Sequence, residues 1–169
     1  MKPMLNQVAF SLLFPEIGDL EPFYLPSIPE GLTSKGPYYM FDLYCQDYMC
    51  DCHKVSMVIT DETRCNILAT VAYGWKSKLH YYKWGLDKVT TVSLTNGFLD
   101  PWCKQTTHGP FFLNFVRRKI NRESGFINKI KKRYRIFKSC VDNPFFTPIV
   151  SPPQVLPDNV VPLEAHIRK

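Results

Sequence analysis

No stretch of this 169-residue chain approaches 18 consecutive apolar residues, which excludes a membrane-spanning helix. The apolar run Val8 to Phe14 is interrupted by Ser11, is followed by Pro15, Glu16 and Asp19, and offers no small-residue cleavage site. It reads as structure rather than an address, so a soluble protein of cytoplasmic type, with no membrane partner, is expected. Also missing are GxGxxG, a P-loop, GxSxG, HExxH and any internal repeat, so none of the chemistries those motifs carry is signalled. With no secretion signal, the six cysteines are expected as thiols or metal ligands, because reducing compartments do not maintain disulfides.

What is present is apolar and aromatic. Hydrophobic residues make up 45% and aromatics 14%, with 12 Phe, 9 Tyr and 3 Trp, enough to bury a core without disulfide staples. One domain over 1–142 is expected, followed by a Pro-rich tail, 143–169, that is extended or disordered, with Phe145 and Phe146 as candidates for docking it. Within the domain, 1–37 is rich in Pro and Gly and reads as an extended covering segment. Tyr38 to Tyr44 is aromatic and apolar except for Asp42, a strand that delivers Cys45. Val55, Met57 and Ile59 alternate with Ser56, Val58 and Thr60, and Asn66 to Trp75 completes an antiparallel hairpin. His80 to Trp84 reads as a further strand. Gly109-Pro110 then opens a helix with Leu113, Val116 and Ile120 on one face, broken near Ser124-Gly125. A second helix carries Phe126, Ile127, Ile130, Tyr134 and Phe137. Strands followed by helices, without βαβ alternation, predict an α+β fold: a small antiparallel sheet followed by two C-terminal amphipathic helices.

The residues with chemical content are Cys45, Cys50 and Cys52. Three thiolates within eight residues, between the end of one strand and the start of the next, can converge on one ion, and sulfur-rich tetrahedral sites select zinc or iron–sulfur iron. Structural Zn2+ is the simpler choice. The competing readings are buried free thiols, which behave as small hydrophobes, and a redox disulfide. A catalytic cysteine would need a base such as His53, His80 or His108 and an oxyanion donor, and no motif supplies them. A closed site needs a fourth ligand, for which Cys103 stands first and His108 second among Cys140, His53, Asp47 and Asp51. If Asp61 to Cys65 is the hairpin loop, Thr60 pairs near Asn66 and Cys52 lies near Gly74. Cys65 is then about 25 Å from Cys52 at roughly 3.3 Å per residue, too far to share the ion.

The string Tyr44-Cys45-Gln46-Asp47-Tyr48-Met49-Cys50-Asp51-Cys52 resembles the Tyr-Cys-x-Asp-Pro-x-Cys-Asp-Cys signature of a family of uncharacterised bacterial proteins, some of which carry an additional SEC-C zinc motif. Ala72 to Trp75, Tyr82 to Trp84, Leu99 to Pro101 and Lys132 to Lys138 are similar to that family in order, so the likeness spans about 38–138. Tyr48 stands where the family has proline, His53-Lys54 where it has two arginines, and the SEC-C motif is absent. The resemblance implies a metal-binding domain and no substrate.

Net charge is +6, unevenly placed. Between Arg117 and Lys138 stand ten Lys/Arg against Glu123 alone, which gives that segment +9 and leaves the remainder at −3. Arg117, Arg118, Lys131, Lys132 and Arg135 are the candidates for following a phosphate backbone, with Tyr134, Trp75, Trp84 and Tyr82 as stacking rings. Solvated helix faces, or a surface for an acidic protein, are the plainer alternatives. The sequence therefore reads as a non-catalytic, zinc-stabilised interaction module with a protein partner. The alternatives are a nucleic-acid-binding protein using the 117–138 helices, and an enzyme, either a zinc-dependent hydrolase or a thiol-redox protein. The fourth ligand discriminates: structural zinc is closed by protein, catalytic zinc keeps a position open.

Overall fold

Alternating side chains on three adjacent strands put one apolar face toward the helices. The computed structural model describes residues 6–147 apart from 19–20, 26, 28 and 33–34. Its sheet has five strands in sequence order, all pairings antiparallel: β1 (Gln7–Ala9), β2 (Tyr39–Cys45), β3 (Lys54–Thr60), β4 (Ile67–Gly74) and β5 (Phe98–Leu99). Tyr44 of β2, Val55, Met57 and Ile59 of β3, and Ala69 and Val71 of β4 share a buried cluster with Phe112, Val116, Ile130, Tyr134 and Phe137. Those last five come from α4 (Gly109–Arg122) and α5 (Ser124–Val141), so the α+β expectation and the two C-terminal helices are as read from the sequence. Pro110 lies in the first turn of α4, where a missing N–H costs nothing, and the break between the helices falls at Glu123. The opposite face of the sheet buries a smaller cluster of Phe41, Leu43, Val58 and Ile67.

The hairpin register is close to that derived from spacing: Lys54 faces Gly74 and Thr60 faces Ile67, with an irregularity at Ile59/Thr60. Asp61 organises the turn, its carboxylate accepting from the Thr63 hydroxyl at 2.6 Å and the Asn66 amide at 2.6 Å. The run Val8 to Phe14 is split between β1 and a short α1 (Phe10–Leu13).

One assignment is corrected. His80 to Trp84 is not a strand: it belongs to α2 (Lys78–Lys83), capped by the Ser77 hydroxyl, which accepts from the His80 N–H. A further helix, α3 (Lys88–Asn96), follows, capped by Asp87 through the Thr90 N–H at 2.9 Å. Gly74 has no side chain because this pair closes over it. A Cβ there would lie 2.9 Å from Leu94 Cγ and closer still to the Tyr81 ring. In the covering segment Phe23 bridges Tyr38, and Leu25 is buried. Of the tail, Phe146 packs on the core and Phe145 is exposed; 148–169 lie outside the described residues.

α5 is fastened to β2 by a buried ion pair. Arg133 Nη1 donates to Asp42 Oδ1 at 2.9 Å, with side-chain exposures of 12% and 6%. Asp42 also accepts from the Tyr44 hydroxyl at 2.9 Å, which lies 3.0 Å from the Ile130 carbonyl of α5. Burial raises the Asp42 carboxyl above its ordinary value, Arg133 and Tyr44 opposing the shift. The guanidinium lies 5.0 Å over the Phe10 ring, so one side chain ties α5 to β2 and α1.

Candidate metal centre

Cys45 ends β2 against Gln7, and Lys54 begins β3. The eight residues between them turn back on themselves through two left-handed residues, Met49 at φ 54° and His53 at φ 45°. Neither is Gly, Asn or Asp, the residues that adopt this conformation at least cost, so the loop holds strain on both sides of Cys50 and Cys52. The result is convergence: the sulfurs of Cys45, Cys50 and Cys52 all lie within 4.8 Å of one another. Three thiolates are donors of the kind zinc takes, and Zn–S bonds of about 2.3 Å set the sulfurs of a tetrahedral site roughly 3.8 Å apart, inside that 4.8 Å bound, so the group could hold a metal ion. Cys45 and Cys52 are buried and Cys50 is partly exposed, so one side of the cluster is reachable.

The loop is pinned on two sides. Toward β1, Gln46 N–H donates to the Asn6 carbonyl at 3.0 Å, and the Asn6 amide donates to the Asp47 carboxylate. Toward α5, the buried Lys138 ammonium donates to the Asp47 carbonyl at 2.8 Å and pairs with Asp142 at 2.9 Å. Asp142 in turn accepts from the Met49 N–H at 2.8 Å, which helps hold that residue left-handed. The Asp47 carboxylate accepts from the Cys45 thiol at 3.3 Å.

The thiols are unequal. A hydrogen bond from Cys52 is the largest effect on Cys50 and pulls its thiol down to about 6, burial opposing it and the Lys138 charge assisting. Cys52 is pushed strongly up by hydrogen bonding to Cys45 and Cys50 and by burial. The cluster without an ion thus favours a thiolate on Cys50 with a neutral Cys52 beside it. A metal would displace the remaining protons, which makes its binding pH-dependent.

Cys103 is elsewhere. It follows β5, its N–H donating to the Asp100 carbonyl at 3.2 Å, and burial, aided by the Asp100 carboxylate, pushes its thiol up to about 12. A protonated thiol beside a carboxylate is a poor ligand, and Cys103 is outside the three-cysteine group. His108 stands at the start of α4 with its ring beside Gly31, Cys140 lies on α5, and neither joins the group. Cys65 is exposed in the hairpin turn, at the opposite end of β3 from Cys52. Among the described residues three ligands converge and no fourth His, Cys, Asp or Glu joins them.

The basic residues separate into two sets. Arg117 closes the α3–β5 corner, donating to the Gly97 carbonyl at 2.9 Å. Lys119, Lys129, Arg133 and Lys138 pair with Glu123, Glu21, Asp42 and Asp142. Arg118 and Lys132 are exposed, whereas Lys131 and Arg135 line an open cleft beside His53. Sequence reasoning missed Lys138 and Asp142, whose i,i+4 spacing was the available signal, and Lys76, the third cation of that cleft.

No protein-family model matches the chain, and neither a curated protein nor a solved structure does. Among the described residues no helix is long and apolar enough to cross a membrane.

Proposed function

We propose that this chain is a non-catalytic interaction module whose cysteine loop is fastened by one zinc ion on Cys45, Cys50 and Cys52. The observation that carries this reading is the convergence of three thiol sulfurs from two strand ends and the turn between them. The ion would supply cross-linking: it ties the end of β2 to the start of β3 and offsets the strain at Met49 and His53. The fourth position is filled from outside the group, and Asp47, already at hydrogen-bond distance from Cys45, can supply an oxygen.

Such fastening has a use at the loop tip. Tyr48 and Met49 are 62% and 68% exposed, two large apolar side chains held out by a backbone that Asp142 and Lys138 support from behind. That presentation suits a protein partner. The motif likeness to the bacterial family with SEC-C members points the same way, and a reducing, cytoplasmic setting suits six free thiols. A hydrolytic zinc site is the second reading, favoured by the three-ligand count alone.

Zinc analysis of protein purified without chelator tests the proposal. One zinc per chain is expected in the wild type and in Cys103→Ser, and none in Cys52→Ser. A wild type that is metal-free and refuses added zinc contradicts it.

A further inference from the structure

Beside the cysteine loop, the end of β4 and one face of α5 enclose an open cleft of about 530 Å³. Lys76, Lys131 and Arg135 line it, with Asn128 at its edge and no Asp or Glu among the lining residues. None of these three cations has an ion pair among the described residues, although three other Lys/Arg of α5, Lys129, Arg133 and Lys138, do. Three cations gathered on a concavity repel one another and focus a positive potential into it, an arrangement that an anion relieves.

The cleft also has an aromatic wall. Trp75 and Tyr134 meet at 79° with centroids 5.0 Å apart, and the His53 ring stands 6.0 Å from Trp75 at 82°. Tyr134 is almost fully buried and acts as support, its ring centroid 5.0 Å from that of His53. Trp75 and His53 are half-exposed and face the opening. A half-exposed indole beside unpaired cations is the pairing that single nucleotides use, a flat ring stacked on the aromatic face and a phosphate on the charges. Arg135 can hold a phosphate through two N–H groups, and the Asn128 amide offers both a donor and an acceptor to a base edge.

The geometry points to this cleft as a binding site for a phosphate bearing an aromatic base, the unit common to a mononucleotide and a single-stranded nucleic acid. The base lies against Trp75 and the phosphate is held by Lys131, Arg135 and Lys76. The site goes beyond the zinc reading, since no cysteine contributes to it.

Isothermal titration at low salt with AMP, adenosine, inorganic phosphate and a short oligouridylate tests it, on protein with the metal complement it carries when purified. AMP is expected to bind roughly ten-fold or more tightly than inorganic phosphate, the difference being the stacked base. Tighter binding of the oligouridylate than of AMP identifies a single strand as the source, and equal binding identifies the free nucleotide. K131Q/R135Q is expected to weaken AMP binding about ten-fold or more and to flatten the oligouridylate salt slope by about 1.4. R118Q/K132Q removes the same charge outside the cleft and is expected to change AMP affinity less than about two-fold. Matching thermal melts for both double variants establish that folding is intact. Phosphate binding as tightly as AMP, equal loss in the two double variants, or no binding by any probe each overturns the assignment.

Discussion

Replacing Arg133 by Met removes the cation that joins α5 to the sheet and leaves the Asp42 carboxylate buried, 6% exposed, with the neutral Tyr44 hydroxyl still donating to it and no cation to balance its charge. Removing one member of a buried pair costs about 3–5 kcal/mol, because the other charge stays desolvated. That is a large share of the roughly 5–15 kcal/mol by which a domain is stable. The pH dependence follows from the direction of the shift. Burial already raises Asp42, and Arg133 opposes it, so the variant's Asp42 rises further. A carboxyl raised in the folded state contributes stability that is present below its unfolded value and is lost as pH rises through the folded one. The deficit of Arg133→Met is therefore smaller near pH 5 than near pH 7. Urea titrations followed by tryptophan fluorescence at both pH values measure this, with Asp42→Leu and the double variant completing the cycle. The double variant should recover most of the loss, since an apolar replacement pays no desolvation. A deficit at neutral pH below about 1 kcal/mol, the value of an exposed pair, would refute the reasoning.

Cys65→Ser should leave metal content unchanged and shift stability by no more than about 0.5 kcal/mol, as chelation assays and melts will show, because this thiol is exposed in a turn far from the cluster. Asp61→Ala should cost about 1 kcal/mol at neutral pH through loss of the turn's hydrogen bonds. Hydrogen bonds from Thr63 and Asn66 outweigh burial and hold the Asp61 carboxyl below its ordinary value. Its contribution is thus present above the unfolded value and lost as pH falls through the folded one, so wild type and variant should converge in acid denaturation. Gly74→Ala should lower the melting temperature, since the added methyl collides with Tyr81 and Leu94; an unchanged melt would mean that α2 and α3 move aside freely.

Local signals carried much of the fold. The β3–β4 pairing was legible because Val55, Met57 and Ile59 alternate over a polar turn, and α4 and α5 because proline and helical periodicity mark them. α2 misled because Tyr81, Tyr82 and Trp84 are strand-favouring residues in a row, yet only Tyr81 is buried and Ser77 caps a helix. α3 has a weak amphipathic signature, with Val89 76% exposed while Thr91 is buried. Its Asp87 cap was the readable clue. The three cysteines were legible because they lie within one turn, where spacing alone implies proximity. The fourth ligand was not: Cys103 depends on where the β5 loop crosses the sheet, which no local pattern encodes. The cleft was legible only in pieces, since Trp75 and Tyr134 lie 59 positions apart in the sequence and meet through packing.

Native mass spectrometry of the intact chain, compared with Cys50→Ser, tests the central claim most directly. One zinc per wild-type chain, lost on acidification and absent from Cys50→Ser, is the result expected of a three-thiolate site. A wild type that carries no metal after incubation with zinc, or a Cys50→Ser variant that retains a full equivalent, would contradict the account.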